Sequence, residues 1–268
     1  MRAARLSGAD EAQQYSIVQH TLSLLQDLPL GTNPPQIGYQ VQEIIRGTVG
    51  SDDPYHEIKK ISTQQALALY PKLKALVHQS DDPLALAIRL SIAGNIIDFA
   101  VSDQIADLWQ TVERVIRQPF AIDDTMVLWD HLKTANYVLY LADNAGETVY
   151  DRILIEVLPV PVIYAVKHNP VVNDATIEDA LAAGIDTCAT LISNGAQAAG
   201  DILSLCSEAF RKQFQEAPLI IAKGQANFET LSEAGAKVFC LLQVKCPMIG
   251  LHLNAPIGSI VCRQSMTE

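Results

Sequence analysis

The spacing of hydrophobic positions changes near residue 125. Before that point apolar residues recur at helical intervals, as with Tyr15, Val18, Leu22 and Leu25 within residues 9–27. Asp53-Pro54 and Asp82-Pro83 each read as an N-cap followed by proline at the first helical position. The second opens LALAIRLSIAGNIIDFAV, which is apolar nearly all round and is predicted to be a buried helix. On it Ser91, Asn95, Asp98 and Ser102 fall on one face, and a polar stripe on a buried helix needs partners. Either another helix satisfies it or the face looks into a polar cleft.

Beyond residue 125 short apolar runs at 137–141, 162–166, 188–192, 219–222 and 238–242 alternate with amphipathic stretches carrying cap signals. This alternation predicts a mostly parallel sheet with helices on its faces. The expected fold is α/β, a Rossmann-like three-layer α/β/α domain over residues 121–268, with an N-terminal helical subdomain over 1–120 capping its cleft.

In an open parallel sheet, ligands bind beyond the carboxyl ends of the strands. The first run ends in Asp143, Asn144, Gly146 and Glu147, and the second leads through Lys167 and His168 to Asn173-Asp174. The third ends in Ser193-Asn194-Gly195, the fourth in Lys223-Gly224 followed by Asn227 and Glu229, and the fifth leads to Lys245. Helix capping accounts for part of this: Asn144 and Glu147 have capping-box spacing, as do Thr176 and Asp179. Capping does not account for Asp143 or Asp174. Two carboxylates and an amide are hard oxygen donors, suited to Mg²⁺ or Mn²⁺.

Composition narrows the partners. A formal net charge of −11 over 268 residues opposes binding to nucleic acid or anionic membrane, and an anionic substrate would need a local cation. No apolar run is long enough to span a bilayer, and the N-terminus lacks the apolar core of a secretory signal. Five cysteines (Cys188, Cys206, Cys240, Cys246, Cys262) without C-x-x-C spacing read as reduced core residues of a cytoplasmic protein. There is no P-loop, no three-glycine dinucleotide turn and no G-x-S-x-G elbow.

The ordered set D-N-A-G-E with Tyr-Asp after it, N-P-V-V-N-D-A-T-x-E-D-A, S-N-G, A-K-G-Q-A-N-F-E-T-L and V-K-C-P resembles the family catalogued as domain of unknown function 89. The resemblance extends upstream to G-N-I-I-D-F (94–99) and D-D-P-Y-H-E-I-K-K (52–60), and is greatest to the compact microbial branch. Members are described as damage-control phosphatases, metal-dependent enzymes hydrolysing phosphate esters of small metabolites such as sugar phosphates or damaged cofactor precursors. The resemblance implies that Asp143, Asn144 and Asp174 bind the metal (Mg²⁺ or Mn²⁺, with Co²⁺ or Ni²⁺ as alternatives) and that Lys223 holds the substrate phosphate. It implies that Glu147, Asn173 and Asn227 line the pocket, with Asn95 and Asp98 supplied by the helical half. Asp143, Asp174 and Glu147 are then the catalytic candidates, with water or an aspartate as nucleophile. That branch often carries a Cys-x-x-Cys before a segment like ARLSG, whereas no cysteine precedes Cys188 here; either the start is missing or this member lacks the pair. Two other readings are a phosphometabolite-binding protein without turnover and, lower in rank, a methyltransferase.

Overall fold

The computed structural model describes residues 1–50, 53–97 and 105–266. The described residues form twelve α-helices and seven strands. The chain begins with α1 (Arg2–Leu6), α2 (Glu11–Gln26), α3 (Pro34–Val49), α4 (His56–His78), α5 (Pro83–Ile97) and α6 (Ile105–Arg117). Then come β1 (Phe120–Asp123), α7 (Thr125–Leu132), β2 (Val138–Leu141), α8 (Thr148–Ile155), β3 (Val162–Val166), α9 (Ile177–Ala182) and β4 (Thr190–Ser193). The remainder is α10 (Glu208–Glu216), β5 (Ile220–Lys223), α11 (Gly224–Leu231), β6 (Val238–Gln243), α12 (Pro247–Leu253) and β7 (Ile260–Gln264).

The strands make one sheet in the order β1-β7-β6-β5-β2-β3-β4. The five strands β6 to β4 are mutually parallel, β7 runs antiparallel to β6, and β1 is parallel to β7. This is the expected mostly parallel α/β fold. All five expected runs form strands, with ends displaced by up to two residues. The sequence reading did not find β1 and β7, the two that run against the rest; they are short and mix apolar with polar positions.

Alternation along each central strand builds two cores. Val138, Tyr140, Ile221, Phe239 and Leu241 face α4 to α8, whereas Leu139, Leu141, Ile220, Cys240 and Leu242 face α10 to α12. With both faces covered, the strands are apolar throughout, as buried parallel sheets are. The first core runs across residue 120: Leu73, Ile88 and Val112 of the helical half share it with Tyr140 and Tyr164. The change of character there marks where strands begin, while α4, α5 and α6 serve as a layer of the sandwich. The three N-terminal helices have a separate small cluster around Ala3, Ala4, Ile17, Ile45 and Tyr55. Tyr15, Val18, Leu22 and Leu25, the apolar stripe of α2, face outward, and the buried residue of that helix is Ile17.

Cap chemistry differs in detail from expectation. Asp53 accepts a hydrogen bond from the Tyr55 amide at 3.1 Å, but α4 begins two residues later than Pro54. Asp179 accepts from the Thr176 amide and hydroxyl at 2.9 and 2.7 Å, so it caps α9. Asp179 also pairs with Lys59 at 2.9 Å, and Lys59 reaches Asp53 at 2.8 Å. This ammonium is almost fully buried and ties α4 to the start of α9. Among the described residues no helix is long and apolar enough to cross a membrane.

Removing one member of a buried ionic group leaves uncompensated charge. Lys59→Ala is therefore expected to lower unfolding stability by on the order of 3 kcal/mol, measured by urea denaturation; Lys59→Met, which keeps the apolar stem, should not recover it.

Candidate active site

Strand order places the site. The chain runs from β2 outward through β3 to β4, then returns to add β5 on the other side of β2. The crevice beyond β2 and β5 is thus a topological switch point, where this fold class binds ligands. Asp143 and Asn144 leave the end of β2, and Lys223 ends β5. The segment after β3 folds back, pairing Asn144 with Asp174 in an isolated antiparallel bridge. The Ala145 amide donates to Asn173 O (2.9 Å) and the Ala175 amide to Asp143 O (2.8 Å), so the two strand-end loops are laced together.

The side chains meet there. Asp143 Oδ2 accepts from Asn95 Nδ2 at 2.7 Å and from Asn144 Nδ2 at 2.9 Å. The same two amide nitrogens reach Glu147 Oε2 at 3.0 and 3.1 Å. Asn173 Nδ2 donates to Asn144 Oδ1 at 2.8 Å. Asn227 Nδ2 donates to Ala142 O and Lys223 O, clipping the ends of β2 and β5 together. Gly224 lies against Asp143: its φ is +82°, and a Cβ there would collide with the carboxylate. Asn95 sits on α5, so the polar stripe of that helix does face the strand ends. Asp98 and Ser102 lie outside the described residues.

The capping alternative for Glu147 is not realised. It occupies the N-cap position of α8 in helical conformation and makes no side-chain cap. Its Oε1 instead accepts from Lys223 Nζ at 2.7 Å. Lys223 also donates to Asp151 Oδ1 (2.6 Å) and to Ser91 O (2.9 Å), which occupies all three of its hydrogens. It is fully buried. In this geometry Lys223 has no hydrogen left for a phosphate; it is the counter-charge behind Glu147. The sequence reading missed the partners that complete this arrangement. Tyr140 and Tyr164, stacked at 5.3 Å, donate one hydrogen bond to each oxygen of Asp151, both at 2.7 Å. Asp201 accepts from Asn194 at 2.6 Å and lies 3.5 Å from Lys167, which is 3.9 Å from Asp174. Only the period-two alternation of β2 and β3, which puts Tyr140 and Tyr164 on one face, hinted at the first group.

The sequence matches the family described as the damage-control phosphatase ARMT1-like domain over residues 1–261. This chain belongs to that family. It is 39% identical over 222 residues to a damage-control phosphatase of Pyrococcus horikoshii, covering 81% of this chain and 76% of the relative. It is 33% identical over 238 residues to a damage-control phosphatase of Archaeoglobus fulgidus, covering 85% and 80%. Its structure is similar to the crystal structure of a DUF89 family protein from P. horikoshii, with TM-score 0.88 and 34% identity over 98% of this chain and 94% of the other. The family resemblance in the strand-end motifs is thus confirmed across nearly the whole length.

The electrostatics of the candidate site are unbalanced. Asp143, Glu147, Asp151, Asp174 and Asp201 are all buried, against two buried ammoniums, Lys167 and Lys223. Burial, then the Glu147 charge, pushes the Asp143 carboxyl up to about 7. Burial also raises Asp174 well above the carboxylate range, against the pull of Lys167. Burial alone would lower Lys223, but Asp151 and Glu147 overcome it and hold the ammonium charged. Among the described residues Asp174 Oδ2 is buried without a hydrogen-bond partner. Among the described residues no group of three His, Cys, Asp or Glu is set to hold a metal; the candidate set is two carboxylates and an amide. An orphaned buried carboxylate oxygen beside a second carboxylate short of positive charge fits a divalent cation.

A carboxyl raised on folding stabilises the fold below its unfolded value near 4, and that contribution is lost as pH rises through about 7. In EDTA, the Tm of Asp143→Asn minus that of the wild type is expected to grow between about pH 4 and about pH 7 and then level off. Saturating Mn²⁺ should reverse the sign at pH 7 and above, because the ion stabilises the form that binds it.

Proposed function

We propose that this chain is a metal-dependent phosphatase acting on phosphate monoesters of small metabolites, such as sugar phosphates or phosphorylated, damaged cofactor precursors. The observation that carries this reading is the meeting of Asp143, Asn144 and Asp174 at the switch point, with negative charge there in excess. These three residues would hold the divalent ion, Mg²⁺ or Mn²⁺ by donor type. When bound, the ion supplies neutralisation of the phosphoryl oxygens.

The remaining work falls to the chain's own groups. Lys245 is exposed, and its charge is felt by Asp143. Gln225 in the first turn of α11 holds the Lys245 amide at 3.0 Å, which keeps that residue beside the site. It is the cation positioned to meet a phosphate dianion arriving from solvent. Lys223 keeps Glu147 in place from behind, and Asn95 and Asn144 keep Glu147 and Asp143 at a fixed separation. Asn173, Asn227 and Asn95 add amide groups to the pocket; the buried Oδ1 atoms of Asn95 and Asn227 have no partner within the described residues and suit substrate donors.

The test is phosphate release from a panel of sugar phosphates and p-nitrophenyl phosphate, in EDTA and after adding back Mg²⁺, Mn²⁺, Co²⁺ or Ni²⁺. The expected result is release restored by metal and abolished in Asp143→Ala and Asp174→Ala. Lys245→Ala should raise KM about tenfold with kcat little changed, since it removes attraction common to substrate and transition state. Metal binding without release of phosphate from any ester would replace the enzyme by a phosphometabolite-binding protein.

A further inference from the structure

Val172 has a φ of +48°, one of two non-glycine residues among those described that lie in the left-handed region. A β-branched residue there is a true outlier. It stands at the second position of a four-residue turn, closed by the Asp174 amide donating to Val171 O at 3.0 Å. Positive φ at that position calls for glycine, asparagine or aspartate. Strain of this kind persists only where the surroundings over-determine it. The surroundings here are the N-terminal helices. The cluster of Ala3, Ala4, Ile17, Ile45 and Tyr55 takes in Val172, its one member from the α/β half among the described residues. Glycine would make the turn without strain but would give those helices nothing to grip.

Val172 leads directly into the candidate metal loop. Asn173 O receives the Ala145 amide, Asp174 bridges to Asn144, and the Ala175 amide donates to Asp143 O. The helix α3 also touches α11, whose first residue, Gly224, backs Asp143. The N-terminal helices therefore touch both the Val172 turn and α11, two elements that flank the site. We infer that Val172 is a positioning residue: gripped by the N-terminal helices, it holds the turn that sets Asn173 and Asp174 against Asp143 and Asn144. Docking of residues 1–50 and the affinity of the site for its cation are then coupled, on the metal-site reading given above.

Mn²⁺ binding, followed by the electron paramagnetic resonance of the free ion, and hydrogen exchange of the Asp174 and Ala175 amides test this together. Val172→Gly should weaken Mn²⁺ about tenfold, the scale of loss for residues that orient metal ligands. It should speed exchange at Asp174 and Ala175 about tenfold while the amides of β2 and β5 keep wild-type protection. Ile45→Ala, which loosens the grip from the helical side without touching the loop, should change both readouts in the same direction, and Val172→Ile should restore both. Wild-type Mn²⁺ affinity and exchange in Val172→Gly would overturn the inference. So would a change in Val172→Gly that Ile45→Ala fails to reproduce, because the turn would then act without the helices. Absence of Mn²⁺ binding by the wild type would remove the metal reading, and the exchange comparison would still decide the role of Val172.

Discussion

The structure turns on an excess of buried negative charge at the ends of the parallel strands. Five carboxylates lie out of water there with two ammoniums to balance them. Isolated buried charge is costly, so each carboxylate must be paired, supplied with donors or protonated. Asp151 takes Lys223 and two tyrosine hydroxyls, Glu147 takes Lys223 and two amides, and Asp201 takes Lys167 and Asn194. Asp143 and Asp174 keep the least positive company, and burial drives both, as it does Asp151, toward the protonated form. The imbalance lies at the strand ends, where this fold class binds ligands.

The two lysines show how position divides similar side chains. Lys223 ends β5 inside the molecule and is consumed by its acceptors, so it acts as fixed charge in a low-dielectric setting where charge is felt strongly. Lys245 follows β6 in solvent, where its ammonium is hydrated and can exchange water for a ligand. The family resemblance assigned the phosphate to the first. Lys223 is fully buried, whereas Lys245 is exposed.

Much of the fold was legible because buried parallel strands are written as apolar runs with turn residues between them. β1 and β7 escaped because FAID alternates over half-exposed positions and IVCRQ turns polar after three buried residues. In the site, Asp143, Asn144 and Asp174 stood out because they follow strands and capping did not account for both aspartates. Glu147 was ambiguous on spacing, and three-dimensional pairing with Lys223 resolves it. Asp151, Tyr140 and Tyr164 sit within a helix and two strands of ordinary pattern, so local sequence carries no sign that they share one carboxylate. Val172 was invisible for another reason: valine in a loop looks unremarkable until its backbone angle is known.

The switch-point topology also decides what closes the acidic crevice. Lys223 follows Glu147 by 76 residues, and β3 and β4 lie in the sequence between β2 and the strand that carries it. Closing so long a loop is slow compared with adding a neighbouring βα unit. Until β5 arrives, Glu147 and Asp151 lack their shared ammonium and have reason to stay in water. A dry end of β2 therefore requires β5 beside it, because β5 brings the ammonium that Glu147 and Asp151 share.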